Sequence, residues 1–143
     1  MKSIERSEDM KRLDVVYALI RNQNDEVLIV ENENSRWSLP GGAVEEDETL
    51  EQALIREVYE ETALHVERKG LASVNETKFQ ESGHHCVFFT FHVDVVGGTI
   101  ERLYPEEITK IEWVSFEIAN ERMPYLASGI EPLFDQHVTY TYQ

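Results

Sequence analysis

Three glutamates, Glu57, Glu60 and Glu61, lie in a segment whose apolar residues recur every four positions, as on one face of a helix. At about 100° of rotation per residue, their carboxylates share an arc of roughly 100° beside the apolar stripe centred on Leu54. Carboxylates that close resist joint ionisation, so a cation is expected to neutralise them. Oxygen ligands in this number suit Mg²⁺ or Mn²⁺, and both ions bridge to phosphate oxygens. The spacing therefore predicts a divalent metal site that handles phosphate.

The loop before this helix fits the same chemistry. Gly41 and Gly42 allow the main chain to approach a bound group closely and to offer it a backbone oxygen. Arg56 lies one turn before Glu60 and is placed to clamp Glu48 or another carboxylate. Helix geometry alone leaves an alternative open, in which the glutamates are solvated and Arg56 forms a surface ion pair that contributes little to stability.

Acidic residues dominate the charge of the chain. The 143 residues carry 28 Asp and Glu against 13 Lys and Arg, a net charge of −15, and segment 45–61 concentrates the excess. Without a basic stripe such a chain repels nucleic-acid backbones, so we expect no nucleic-acid partner. Apolar stretches are too short to cross a bilayer, and the first twelve residues mix both charge signs, so we expect no membrane partner and a cytoplasmic location. Cys86 is the only cysteine, which excludes an intramolecular disulfide and a cysteine-rich zinc site.

The elements that position these residues alternate between strands and helices. Strands rich in β-branched residues are predicted around a tight turn at 22–25, and the proline and glycines of 37–42 exclude a helix there. Gly97 and Gly98 are predicted to form a turn after a strand. The predicted strands are 13–21, 26–31, 66–74, 86–96 and 108–115, and the predicted helices are 48–62, 116–122 and a short one within 126–134. The pattern predicts one domain over residues 1–143 of the α/β or α+β class, with mixed strand directions.

At residues 42–64 the chain resembles the signature of the Nudix hydrolases (MutT-like). That signature reads Gly, any five, Glu, any seven, Arg-Glu, an aliphatic residue, any one, Glu-Glu, any one, Gly, and an aliphatic residue. Eight of its nine specified positions agree, from Gly42 and Glu48 through Arg56 to Leu64. The departure is Ala63, which stands where the family usually has the glycine that ends the helix.

The resemblance implies an α/β/α sandwich on a mixed β-sheet with the motif helix packed against it. It implies a nucleotide pyrophosphohydrolase that uses Mg²⁺ or Mn²⁺ to cleave the phosphoanhydride of a nucleoside diphosphate linked to another group. Family members often pair, so a homodimer is also an expectation. Carried over by position, the metal ligands are Glu57, Glu60, Glu61 and the Gly42 carbonyl; the catalytic residues are Glu57 as a candidate base, Arg56 and Glu48 as an orienting pair, and Glu107 downstream, with Glu106 as its rival.

Two other functions are weighed against this one. The first is a catalytically silent domain of the same fold that binds a nucleotide or a protein as a sensor. The second is an acidic cation-binding protein, for which the sequence offers no calcium-loop spacing. The substrate within the class, the roles of His84 and His85, and the choice between Arg36 and Lys110 as a phosphate contact stay open.

Overall fold

The computed structural model describes residues 10–143 as seven strands and three helices. They are β1 Lys11–Leu19, β2 Val27–Asn32, β3 Trp37–Ser38, β4 Gly41–Ala43, α1 Leu50–Thr62, β5 Leu64–Phe79, β6 His84–Gly98, β7 Ile108–Val114, α2 Phe116–Arg122 and α3 Glu131–Phe134. The helix α1 is the segment that carries the three glutamates.

Two sheets form the centre of the fold. The larger has the order β4-β1-β6-β5, in which β1 pairs parallel with β6 and the other neighbours pair antiparallel. The smaller is antiparallel and has the order β3-β2-β7. The expectation of an α/β fold with a mixed sheet and the motif helix packed on it is confirmed.

Alternation along β1 supplies two cores. Val16 and Ala18 face α1 and pack with its buried residues Leu54 and Val58, together with Phe91 of β6. Leu19, the residue after Ala18, faces the other way, into a second core formed with the smaller sheet and α2. Because successive strand residues point to opposite faces, one strand serves both cores and holds them together.

The helix α1 begins two residues later than the sequence predicts. Thr49 is the N-cap and forms a capping box with Gln52, in which the Thr49 hydroxyl accepts from the Gln52 N–H and the Gln52 side chain accepts from the Thr49 N–H. This arrangement satisfies backbone donors that the first turn leaves free. Glu48 therefore lies outside the helix, in the loop that enters it.

The sequence prediction of a turn at Gly97 and Gly98 is wrong. Both glycines lie at the end of β6, where they pair with His65 and Leu64 of β5. A Cβ on Gly98 would overlap the carbonyl oxygen of Ala63, so close backbone approach accounts for this glycine. Within residues 10–143, no helix has the length and apolar character of a membrane-crossing segment.

Candidate active site

Two glycines allow the acidic face of α1 to lie against the edge of the larger sheet. In β4, Gly41 pairs with Tyr17 and Gly42 with Val16. A Cβ on Gly41 would overlap the Val16 carbonyl, and one on Gly42 would lie 2.5 Å from Cδ of Glu57. A larger residue at Gly41 would meet backbone that cannot move aside, whereas one at Gly42 would displace the carboxylate end of the Glu57 side chain.

Arg56 is the centre of an ion-pair network. Its Nε and Nη2 donate to Oε2 and Oε1 of Glu48 at 2.6 and 2.8 Å, and Nη2 also donates to the Ala43 carbonyl at 3.1 Å. Its Nη1 donates to Oε1 of Glu57 at 2.8 Å and to Oε1 of Glu60 at 3.1 Å. The hydrogen bonds from Arg56 hold the pKa of Glu48 below its ordinary value. The predicted orienting pair is thus in contact.

Two carboxylates of the site are desolvated. Burial raises the pKa of Glu61 to about 8, against the lowering effect of a hydrogen bond from the Gly41 N–H to its Oε1 at 3.0 Å. Burial also raises the pKa of Glu57, and the hydrogen bond from Arg56 opposes that rise. An uncompensated carboxylate is costly to bury, so both groups favour protonation or a cation beside them.

Glu107, the predicted downstream acid, lies in the loop just before β7. Besides burial, which is the largest cause, the negative charges of Glu57, Glu60 and Glu107 raise the pKa of Glu61. The role of Glu107 in the site stays a prediction, and so does the choice between it and Glu106.

The conformation of the acidic residues bears on the metal site. Among residues 10–143, no three His, Cys, Asp or Glu side chains gather around a common point. The reason is visible in the contacts: Arg56 holds one oxygen each of Glu57 and Glu60, and the Gly41 N–H holds Glu61. The chemistry of the donors nevertheless fits a hard divalent cation, because carboxylates and a glycine carbonyl are oxygen ligands and Glu61 has no cation paired with it in the described part of the chain.

A cavity of about 500 Å³ adjoins the site and was not foreseen from the sequence. Its lining includes Tyr17 and Thr90 of the larger sheet and Tyr125 of the segment after α2. A single tyrosine in an apolar strand is no signal of a site, and the three residues come from distant parts of the chain. Arg36, one of the open phosphate contacts, lines this cavity, whereas Lys110 does not.

His84 and His85 lie at the turn that joins β5 to β6, at the opposite end of that hairpin from the end of α1. His85 Nε2 is 2.6 Å from Glu76 Oε2, and His84 pairs with Phe79 across the strands. His85 thus has a carboxylate partner of its own and lies apart from the acidic residues of α1.

Comparison with known proteins adds an independent observation. The family model described as NUDIX domain matches residues 11–136. The "MutT-like protein" of Streptomyces ambofaciens is 32% identical over 117 residues, covering 82% of this chain and 72% of that relative. The "ADP-ribose pyrophosphatase" of Methanocaldococcus jannaschii is 33% identical over 86 residues, covering 57% and 51%.

A solved structure shows the same fold. The "NUDIX hydrolase from Nitrosomonas europaea" superimposes with a TM-score of 0.81 at 24% identity, covering 93% of this chain and 98% of that one. The chain spans 34% of the length of the "Putative nudix hydrolase 1" of Caenorhabditis elegans and about half of that of the Methanocaldococcus jannaschii relative.

Proposed function

The chain belongs to the NUDIX domain family, and from this premise we propose that it is a metal-dependent nucleotide pyrophosphohydrolase. The bond cleaved is the phosphoanhydride of a nucleoside diphosphate linked to another group. Observations that support the proposal are the half-buried, partly desolvated carboxylates of Glu57 and Glu61 beside Gly41 and Gly42, with the pKa of Glu61 raised to about 8.

We further propose that Mg²⁺ or Mn²⁺ is held by the carboxylates of Glu57, Glu60 and Glu61 and by the Gly42 carbonyl. For this the side chains of Glu57 and Glu60 must turn partly away from Arg56. Glu60 is 40% exposed and has room to turn. When bound, the cation neutralises charge on phosphate oxygens and lowers the pKa of a water in the site.

Side chains of the protein orient the reacting groups and accept the proton of the attacking water. Glu48 holds Arg56, and Arg56 orients Glu57 through Oε1. The other oxygen of Glu57, Oε2, accepts the proton of the attacking water as the new P–O bond forms. The bridging P–O bond breaks, and its electron pair leaves with the oxygen of the departing phosphate. Both phosphate products then carry negative charge. Burial raises the pKa of Glu57 above its ordinary value, which makes the carboxylate a better proton acceptor. Glu107 adds a further carboxylate beside Glu61.

The cavity beside the site is suited to the nucleoside half of the substrate. Its lining combines aromatic residues such as Phe79 and Phe88 with polar ones such as Asn75 and Thr77. Aromatic faces stack on bases and polar side chains pair with their edges. The named activity of the Methanocaldococcus jannaschii relative, a pyrophosphatase of ADP-ribose, is one member of the proposed substrate class.

We also propose that the chain acts as a single domain, because consecutive residues of β1 supply both cores. A catalytically silent sensor of the same fold is the second candidate. The presence of Glu57, Glu60 and Glu61 together favours the enzyme.

The test is a panel of nucleoside diphosphate derivatives and nucleoside triphosphates, incubated with Mg²⁺, with Mn²⁺ and with a chelator. Products are separated by chromatography, and phosphate and pyrophosphate are measured. The proposal expects metal-dependent release from at least one member and none with chelator. If no member of the panel is hydrolysed but calorimetry shows that the protein binds metal, the result would support the sensor instead.

A further inference from the structure

Arg36 differs from every other arginine in residues 10–143. Its guanidinium forms no ion pair and no hydrogen bond within the described part of the chain, although the chain carries a net charge of −15. Each of the others donates to a carboxylate or a carbonyl; they are Arg12, Arg21, Arg56, Arg68, Arg102 and Arg122. An exposed cation without a partner in an acidic protein has its donors free for an anion.

The position of Arg36 is held by an aromatic ring. Its guanidinium carbon lies 5.0 Å from the centre of the Tyr125 ring. The Tyr125 hydroxyl donates to the Trp37 carbonyl at 2.8 Å, which ties the ring to the residue after Arg36. Attraction to the ring face orients a guanidinium and leaves its N–H groups available.

The cavity floor connects Arg36 to the acidic site. Across the larger sheet, Tyr17 pairs with Thr90 and Thr90 with Ser73, which forms a polar row on the face opposite α1. Tyr17 stands at the end of this row, beside Gly41, and the charges of Arg36 and Glu61 both act on its hydroxyl. Tyr17 therefore lies between the lone cation and the carboxylates.

Among residues 10–143, Arg36 is the only basic residue in the lining of this cavity, and Glu76 of the same lining is paired with His85. A substrate that places its anhydride at the acidic residues and its nucleoside over the polar row would bring its nucleoside-linked phosphate beside Tyr17. Within the described lining, Arg36 is the cation that this phosphate would meet.

We propose that Arg36 is a specificity-determining residue that binds the phosphate attached to the nucleoside. The inference rests on the proposed function for the orientation of the substrate. A planar guanidinium suits this role because it donates two parallel hydrogen bonds to one phosphate. Because the contact between Arg36 and phosphate needs no metal, its effect on binding can be measured in the presence of a chelator. Under that condition the acidic residues hold no metal ion that could bind the phosphate.

The experiment is equilibrium binding of the four ribonucleoside 5′-monophosphates and the four corresponding nucleosides, by calorimetry in the presence of a chelator. Each pair differs only by the phosphate. The expected result is that at least one monophosphate binds the unaltered protein about tenfold to a hundredfold more tightly than its nucleoside, as a charge-assisted contact predicts.

Arg36→Gln is expected to remove this preference, and Arg36→Lys to restore part of it, since the charge returns without the planar fork. Lys110→Gln is the matched control, because it removes one positive charge outside the cavity; it is expected to keep the full preference. Arg36 is exposed, and circular dichroism checks that each variant folds.

The proposal is overturned if Arg36→Gln keeps the preference for monophosphates, or if the unaltered protein binds no monophosphate more tightly than its nucleoside. These outcomes do not depend on hydrolysis. A protein that binds monophosphates through Arg36 and cleaves nothing would contradict the proposed function and leave this assignment standing.

Discussion

Arg56 and Glu48 form a two-point ion pair in which Nε and Nη2 donate to separate carboxylate oxygens at 2.6 and 2.8 Å. They are eight positions apart in the sequence, so the pair joins the entry loop to the middle of α1. The same guanidinium also contacts Glu57 and Glu60 through Nη1. Glu48 thereby occupies Nε and Nη2 of Arg56 and leaves Nη1 for the two glutamates that are proposed to hold the metal.

Glu48→Gln is expected to weaken divalent metal binding. Without the Glu48 charge, Arg56 moves closer to Glu57 and Glu60 and competes with the cation for their oxygens. Loss of a partner that orients ligands reduces metal affinity by roughly tenfold to a hundredfold, and calorimetry with Mn²⁺ measures it. Glu46→Gln, at an exposed position in the same loop, is the control. Equal metal affinity in the two variants would contradict the proposed role of Glu48.

Gly42→Ala is expected to displace the Glu57 carboxylate, because the new Cβ would lie 2.5 Å from its Cδ. We expect hydrolysis to fall at least tenfold with little change in stability, because the displaced atoms are the end of a flexible side chain and not backbone. Gly97→Ala is the matched control, since its Cβ would have only an ordinary contact at 3.7 Å with His65. Chemical denaturation and product release are measured on both variants. Full activity in Gly42→Ala would show that the position of Glu57 is unimportant.

Glu60→Gln is expected to remove most activity and little stability. The side chain is 40% exposed and lies 3.1 Å from Arg56, and ion pairs this exposed contribute about 0–1 kcal/mol. Loss of a ligand charge is expected to lower kcat on the order of a hundredfold. Glu67→Gln, which removes an exposed ion pair with Lys69, is the control. Turnover at the unaltered rate would refute the assignment of Glu60 as a ligand.

The metal-free protein is expected to lose stability as the pH rises from about 5 to about 8. The pKa of Glu61 is about 8 in the folded protein and 4.5 as its ordinary value. The folded state therefore holds more protons between these values, and stability falls with rising pH.

Glu61→Gln is expected to reduce that slope and to stabilise the metal-free protein at pH 8 by on the order of a few kcal/mol. Denaturant midpoints across the pH series, with a chelator and then with Mg²⁺, make the comparison. Mg²⁺ is expected to stabilise the unaltered protein at pH 8 more than the variant. Identical slopes would mean that Glu61 is not desolvated.

Ala63→Gly is expected to stabilise the protein by about 1 kcal/mol. Ala63 ends α1 with φ 65°, a left-handed conformation that costs an L-residue with a Cβ about 1–2 kcal/mol and costs glycine little. Ala53→Gly in the interior of the same helix is expected to do the opposite, because glycine weakens helices. Thermal unfolding measures both. A destabilised Ala63→Gly would mean that the packing of the Ala63 methyl group outweighs the backbone strain.

Local sequence patterns were enough to predict the parts of the fold that depend on residues close together in the chain. The four-residue spacing of Leu50, Leu54 and Val58 predicts α1, and the spacing of Glu57, Glu60 and Glu61 predicts that they share one edge of it. In a helix, the spacing of residues along the sequence fixes the direction in which each side chain points. The pairing of Arg56 with Glu48 followed from the family motif and is present in the structure.

Pairing between distant segments was decided only by the tertiary structure. The glycines at 97 and 98 resemble a turn locally, yet they lie in β6 because Ala63 and Leu64 approach their backbone closely. The cavity beside the site joins Tyr17, Ser73 and Thr90, which come from three strands whose register depends on the burial of one face. The setting of Arg36 likewise depends on Tyr125, 89 residues later in the chain. No local pattern encodes such contacts, because they arise when the whole chain buries its apolar surface at once.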